Sequence, residues 1–219
     1  MAGNVSQIRR LAAILAADVA GYSRLMGADE EGTLERLKAL RRELVDLKIA
    51  EHHGRIVKTT GDGILVEFSS VVDAVRCAVE MQKAMPERNS GIGGDDRIEL
   101  RIGINLGDVI VEGVDLYGDG INIAARIEAL ADPGGVFVSS TVYDHVRDRL
   151  PFGFEDLGEQ QVKNIARPVR VYRVRDTADK SQSSVLPSTL PLPEKPSIAV
   201  LPFANMSGDR AIVKPCSIH

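Results

Sequence analysis

Apolar residues recur along this chain with two periods, and the switches between them mark out its elements. Residues 11–17 form one uninterrupted apolar run of strand length, the pattern of a buried strand. Between Asp29 and His53, leucines fall at positions 34, 37, 40, 44 and 47. Those spacings of three and four predict one long amphipathic helix, with Gly54 as its stop. Two short β-branched runs, 55–60 and 64–68, flank Gly61-Asp62-Gly63 and predict a hairpin. Ser70 is placed to cap a helix that runs to about Met85 and closes near Pro86, with Val71, Val75, Ala78, Val79 and Met85 on one face. Cys77 in that helix reads as a small buried residue. A polar, glycine-rich loop at 89–96 precedes two strand candidates, 98–105 and 108–112. A helix over 118–131 is closed by the turn Asp132-Pro133-Gly134-Gly135. A strand at 136–139, a short helix over 141–150 and strands near 154–162 and 169–174 complete the pattern.

Strands and helices alternate, but two tight hairpin signals exclude an all-parallel sheet. The expected fold class is α/β in the α+β sense: a mixed sheet with a ferredoxin-like βαββαβ core plus additional strands and helices. Residues 1–9 are expected as an N-terminal tail and 10–176 as the main domain. After Asp176 the composition changes. Residues 177–196 are rich in Ser, Pro and Lys and predict an extended linker. Residues 197–219 begin like the first strand of a further region and are expected to be a truncated stub.

Composition narrows the function classes. The 219 residues are 44% hydrophobic and 26% charged, enough to bury a real core. Aromatics are 4% with no Trp, so the core is aliphatic and base-stacking platforms are not expected. Lys and Arg number 27 against 31 Asp and Glu, a net charge of −4, which disfavours a nucleic-acid partner. A small phosphorylated ligand held through metal ions is compatible with that balance. Two cysteines, Cys77 and Cys216, support neither a disulfide framework nor a zinc cluster. The apolar run at 11–17 is too short for a signal sequence or a membrane span. A reduced, soluble, cytoplasmic protein with no membrane segment is expected.

The candidate chemistry starts from two acids. Asp18 follows an apolar strand and Asp62 sits at a hairpin tip; taken singly, each is explained as a turn or cap residue. Together they lie at strand mouths, where neighbouring strands would bring both carboxylates to one sheet edge. Mg²⁺ takes one or two carboxylates plus substrate phosphates rather than a protein cage. Two ions bridged in this way clamp an in-line displacement at phosphorus. Lys58 interrupts an apolar strand four residues before Asp62. Asn122 and Arg126 are four apart on a predicted helix and so share a face, which a solvated polar stripe would also explain.

Three phrases carry a resemblance to a known family. They are Ile14-Leu15-Ala16-Ala17-Asp18-Val19-Ala20-Gly21-Tyr22-Ser23, Lys58-Thr59-Thr60-Gly61-Asp62-Gly63, and Asp115-Leu116-Tyr117-Gly118 through Asn122 to Arg126. They resemble the class III nucleotidyl cyclases, in family order, across about residues 9–174. The resemblance implies that Asp18 and Asp62 hold two Mg²⁺ or Mn²⁺ ions, with the Val19 carbonyl as a further ligand. It implies that Lys58 and Asp115 read the base, Asn122 orients the ribose and Arg126 stabilises transition-state charge on the phosphates. Adenine suits that pair, because a lysine donates to ring N1 and an aspartate accepts from the exocyclic amine.

The implied activity is that of an adenylate cyclase in intracellular signalling, converting ATP to 3′,5′-cyclic AMP and pyrophosphate. In this family the site lies between two antiparallel catalytic domains. Asp18 and Asp62 would come from one, and Lys58, Asp115, Asn122 and Arg126 chiefly from the other. One chain carrying all six side chains implies a symmetric homodimer with two sites. An inactive nucleotide-binding module of the same fold and a guanylate cyclase are the alternatives. None of the four histidines sits in a motif, and His52 and His53 are expected to face solvent at a helix end. Either Lys163 or Arg167 is expected to contact the triphosphate. Residues 195–203 are similar to a phrase that, in many bacterial cyclases, opens a region preceding tetratricopeptide repeats. From Arg210 onward that likeness stops, as a truncated or frameshifted product would show; reading the coding DNA in its other frames tests this.

Overall fold

The apolar run of the N-terminal region becomes the centre of a strand, β1 (Ile8–Val19), on which Ala12 through Ala17 are all buried. Side chains alternate across a strand, so continuous hydrophobicity means that both faces are covered. The computed structural model describes residues 8–113, 115–161 and 168–176. The expectations about the linker, the stub, Lys163 and Arg167 lie outside these residues.

The helix expected over 29–53 is preceded by a separate one, α1 (Tyr22–Ala28). Asp29 takes an extended backbone between them, and its side chain accepts from the Gly32 N–H to cap α2 (Glu30–Leu40). A π-helical turn, Arg41–Val45, leads on to α3 (Asp46–Glu51). That turn inserts a residue into the helical repeat, and the buried stripe shifts with it. Leu37, Leu40 and Leu44 are buried as the spacing predicts, but Val45 and Ile49 then take the inward positions while Leu47 is 54% exposed.

The next elements are β2 (Arg55–Thr60), β3 (Gly63–Phe68), α4 (Val71–Arg88), β4 (Leu100–Glu112) and β5 (Asp115–Tyr117). They are followed by α5 (Asp119–Leu130), β6 (Val136–Ser139), α6 (Ser140–Val146), β7 (Phe152–Gln160) and β8 (Val169–Asp176). Ser70 caps α4 through the Asp73 N–H, as expected. Pro86 does not end that helix: it sits in the last turn, which runs on to Arg88. The two strand candidates at 98–105 and 108–112 are one strand, β4, paired with β1 from Leu100 to Val111. Gly107 bends no chain there because the β1 partner continues opposite it. The helix expected over 141–150 closes earlier, at Val146.

Among the described residues the strands form one mixed sheet in the order β2-β3-β1-β4-β6-β8-β7, with β5 pairing along the far end of β4. Among the described strands only β4 and β6 run parallel. The order β2-β3-β1-β4, all antiparallel, with helices connecting β1 to β2 and β3 to β4, is the expected βαββαβ core. One sheet face packs Ala13, Leu15 and Ala17 of β1 with Ile64, Val66 and Phe68 under α2, α4 and α6. The opposite face carries Ala12, Ile14 and Ala16 beneath α5. Cys77 is buried in the first layer, and burial pushes its thiol up to about 12, which leaves it unreactive. His52 departs from expectation: its side chain is only 14% exposed and lies 3.2 Å from the Glu80 carboxylate. No described helix is long and apolar enough to cross a membrane.

The seat of α5 decides the geometry of the site. Along β4, Arg101, Gly103, Asn105 and Gly107 alternate onto the α5 face. The two glycines let the helix backbone lie directly on the strand. A Cβ at Gly103 would stand 2.5 Å from the Ala124 carbonyl oxygen and closer still to the Glu128 nitrogen. Asn105 Nδ2 then donates to the Gly120 carbonyl at 3.0 Å and fixes the other end. Since only backbone lies in the way, Gly103→Val is expected to lift α5 off the sheet. The cost is about 1–3 kcal/mol or more, read as a lower denaturant midpoint; an unchanged midpoint would show that α5 is not seated on this glycine.

Candidate active site

Strand pairing alone brings the two candidate metal acids together. Ala17 of β1 stands opposite Ile64 of β3, so Asp18 lies beside the turn that joins β2 to β3. Gly61, at φ 60, takes the first central position of that turn, and Asp62 the second. Gly61 is one of the positions where a side chain would be strained. Asp18, Asp62 and Lys58 line a single groove of about 320 Å³, walled by Thr60, Gly63 and Leu65 on one side and by Ala125 and Glu128 of α5 on the other. Val19 ends β1 with its side chain buried in the core.

Two residues that sequence reasoning missed are tied to Asp18: Glu128, which lines the groove, and Arg101 behind it. Arg101 stands opposite Asp18 in the β1–β4 register and grips its carboxylate at two points. Its Nε donates to Asp18 Oδ1 at 2.9 Å, and its Nη2 pairs with Oδ2. The same Nη2 lies 3.4 Å from Glu128 Oε1. The side chains are well covered: Asp18 is 22% exposed, Arg101 28% and Glu128 12%. Bonding to Asp18 raises the affinity of Arg101 for its proton. Burial pushes the Glu128 carboxyl up to about 8, the adjacent Asp18 adds to that shift, and Arg101 opposes it. The available signal was an arginine on a strand otherwise made of Leu100, Ile102 and Ile104, since a charge in such a place demands a partner.

The remaining candidates lie elsewhere on the chain. Asp115 opens β5 and is exposed opposite Glu112. Asn122 is exposed on α5, and Arg126 follows one turn later, half-buried. Neither lines the Asp18 groove, whose α5 wall is Ala125 and Glu128. One chain therefore gathers Asp18, Asp62 and Lys58 and leaves Asp115, Asn122 and Arg126 outside. Among the described residues neither Lys58 nor Arg126 forms an ion pair, unlike most basic side chains of this surface.

The donor set fits a hard divalent cation that shares its shell with phosphate. Among the described residues no group of three or more His, Cys, Asp or Glu could cage a metal ion. Two carboxylates at an open groove instead match the donor set that Mg²⁺ takes when substrate oxygens and water complete its shell. Glu128 Oε1 is buried there without a hydrogen-bond partner, a polar atom left open beside the two acids.

Comparison with known proteins identifies the family. Residues 5–176 match the family model of the adenylate and guanylate cyclase catalytic domain. A Rhizobium meliloti (strain 1021) protein named "Putative adenylate cyclase 3" is 52% identical over 203 residues, covering 92% of this chain. The chain spans only 35% of the length of that relative. The crystal structure of an adenylate/guanylate cyclase/hydrolase from Silicibacter pomeroyi is similar at 50% identity and a TM-score of 0.74, covering 78% of this chain and 99% of that one. The guanylyl cyclase Cya2 is similar at 29% identity and a TM-score of 0.68, with 80% and 97% covered. The chain belongs to the family of adenylate and guanylate cyclase catalytic domains.

Proposed function

We propose that this domain is an adenylate cyclase that makes 3′,5′-cyclic AMP and pyrophosphate from ATP, at sites shared by two copies of the chain. The observation that carries the reading is the division of the polar residues into two sets. The groove of one chain holds the acids Asp18 and Asp62, whereas Asp115, Asn122 and Arg126 lie outside it. A second protomer in a symmetric dimer would present the latter set to the former twice over. Lys58 lines the rim of its own groove, and in this reading it turns to the base held in the other site.

In the reaction the ribose 3′-oxygen attacks the α-phosphorus, forming the O3′–P bond. The bond from that phosphorus to the bridging oxygen of the β-phosphate breaks, pyrophosphate leaves, and the hydroxyl proton passes to solvent. Mg²⁺ or Mn²⁺ held by Asp18, Asp62 and the Val19 carbonyl would neutralise phosphate oxygens and lower the pKa of the attacking hydroxyl. Asn122 orients the ribose, which keeps the 3′-oxygen in line. Arg126 donates to phosphate oxygens as charge gathers on them. Lys58 donates to adenine N1 and Asp115 accepts from the exocyclic amine. Guanine presents a donor where adenine presents N1, so two donors would face each other. A diffusible cyclic nucleotide fits a role in intracellular signalling.

The test is purified protein with Mn²⁺ and either ATP or GTP, with the products separated. Cyclic AMP from ATP, and at least tenfold less cyclic GMP from GTP, is the expected result. Cyclic GMP as the main product would overturn the base assignment. ATP bound without turnover would favour a regulatory module of the same fold.

A further inference from the structure

Strand β2 holds one more residue than its neighbour pairs with. Ile56 stands opposite Val66 and Lys58 opposite Leu65, so Val57, between them, has no partner on β3. Counted from Ile56, regular alternation would set Val57 opposite Leu65 and turn Lys58 to the other side of the sheet. The bulge instead seats two consecutive residues on the α5 face, where Leu65 lies. Their surroundings differ. Val57 is half-buried against a cluster that includes Ile14 of β1 and Leu116 of β5, whereas Lys58 is exposed at the rim of the groove. Leu116 follows Asp115 in sequence and is buried, while Asp115 is exposed. Each of the two residues assigned to the base therefore stands next to an apolar residue held in one common cluster. β2 and β5 approach each other, yet β2 pairs with β3 and β5 with β4, so among the described residues no backbone ladder joins them. Side-chain packing is left to fix their spacing. Two groups that bond to neighbouring atoms on one purine edge need that spacing fixed in advance.

We propose that Val57 is a positioning residue for base recognition: anchored in the cluster that holds Leu116, it keeps Lys58 at the distance from Asp115 that adenine requires, and so sets the preference for adenine over guanine. The bulge is what lets an apolar anchor and a free ammonium occupy adjacent positions on one face of one strand. Val57 itself touches no substrate in this arrangement and acts through Lys58. The inference rests on the reading of Lys58 and Asp115 as the groups that contact the base.

Binding of α,β-methylene ATP and α,β-methylene GTP to the full chain with Mn²⁺ tests it without turnover, because carbon replaces the bridging oxygen that would leave. The quantity read is the ratio of the two dissociation constants in isothermal titration calorimetry, which does not depend on how much of the protein is folded. The wild type is expected to favour the ATP analogue at least tenfold. Val57→Ala should reduce that preference at least threefold, mainly through weaker binding of the ATP analogue. Val57→Ile, which keeps the anchor, should stay within twofold of the wild type. Ile14→Val trims the same cluster from β1, away from Lys58 and Asp115, and should also stay within twofold. In the Lys58→Ala background, Val57→Ala should change the preference less than twofold, because it acts through Lys58. A preference unmoved in Val57→Ala, reduced as far in Ile14→Val, or still falling in the Lys58→Ala background overturns the proposal. If Val57→Ala does not fold, Val57→Thr, which keeps the shape and loses the apolar contact, decides in its place, and a change of less than twofold overturns the proposal equally. Lys58→Ala is the control for the underlying reading. A preference that is absent from the wild type or survives Lys58→Ala refutes the base assignment itself, whereas one lost there but unmoved in the Val57 variants refutes only the anchor.

Discussion

Asp62→Ala is expected to abolish cyclic nucleotide formation while leaving the fold intact. Asp62 occupies the second central position of a two-residue turn, makes no ion pair among the described residues, and projects into the groove shared with Asp18. If Asp18 and Asp62 hold the metal, removal of Asp62 takes half of the carboxylate ligands and nothing from the core. Losing an outer-shell partner of a metal ligand already costs about 10–100-fold in affinity or activity, so a ligand should exceed about 100-fold. The thermal midpoint should stay within a degree or two of the wild type. Asp18→Ala should be as inactive but differ in stability, because it strands Arg101 beside a single acid. Leaving a covered charged group without its partner costs about 1–3 kcal/mol, read as a lower denaturant midpoint. Turnover that persists in either variant would refute the assignment of both acids to metal binding. Equal stability losses would refute the placement of Asp62 on a turn outside the core.

That contrast between the two acids marks what was legible in the sequence. Asp18 and Asp62 are found by motif and by their position at strand mouths, and the register of β1 with β3 explains why they meet. The βαββαβ core follows from periodicity, because the hydrophobic repeat changes wherever the chain passes from strand to helix. Other features depend on contacts that a linear pattern does not carry. The π turn at Arg41–Val45 moves Leu47 outward although its spacing suits the buried stripe. The merging of two strand candidates into β4 depends on the long β1 partner, not on anything local to Gly107. Arg101 and Glu128 were missed for the same reason. They are 27 residues apart in sequence and meet only because Gly103 admits α5 to the surface of β4. Gly103 and Gly107 on one face of a strand were the trace of that approach.

Arg126→Ala is expected to lower kcat by about 100–1000-fold with a much smaller change in KM, as for removal of a donor that acts on developing charge. Arg126 is half-buried on α5, one turn beyond Asn122, and is not part of the groove that holds Asp18 and Asp62. On its glycine seat the helix turns Ala125 and Glu128, not Asn122 and Arg126, to its own chain's acids. This geometry makes a sharper test available than either single variant. If each site takes its acids from one protomer and Arg126 from the other, Asp62→Ala and Arg126→Ala damage opposite halves. An equimolar mixture of the two inactive proteins then forms mixed dimers in which one site carries both lesions and the other carries none. Random pairing makes half of the dimers mixed, so about a quarter of the wild-type sites should reappear. The recovered rate should grow with total protein concentration as the dimers form. Recovery of that size, from two preparations that are each inactive alone, is what a shared site requires. A mixture no more active than its components would place Arg126 and Asp62 in the same half and overturn the two-chain arrangement.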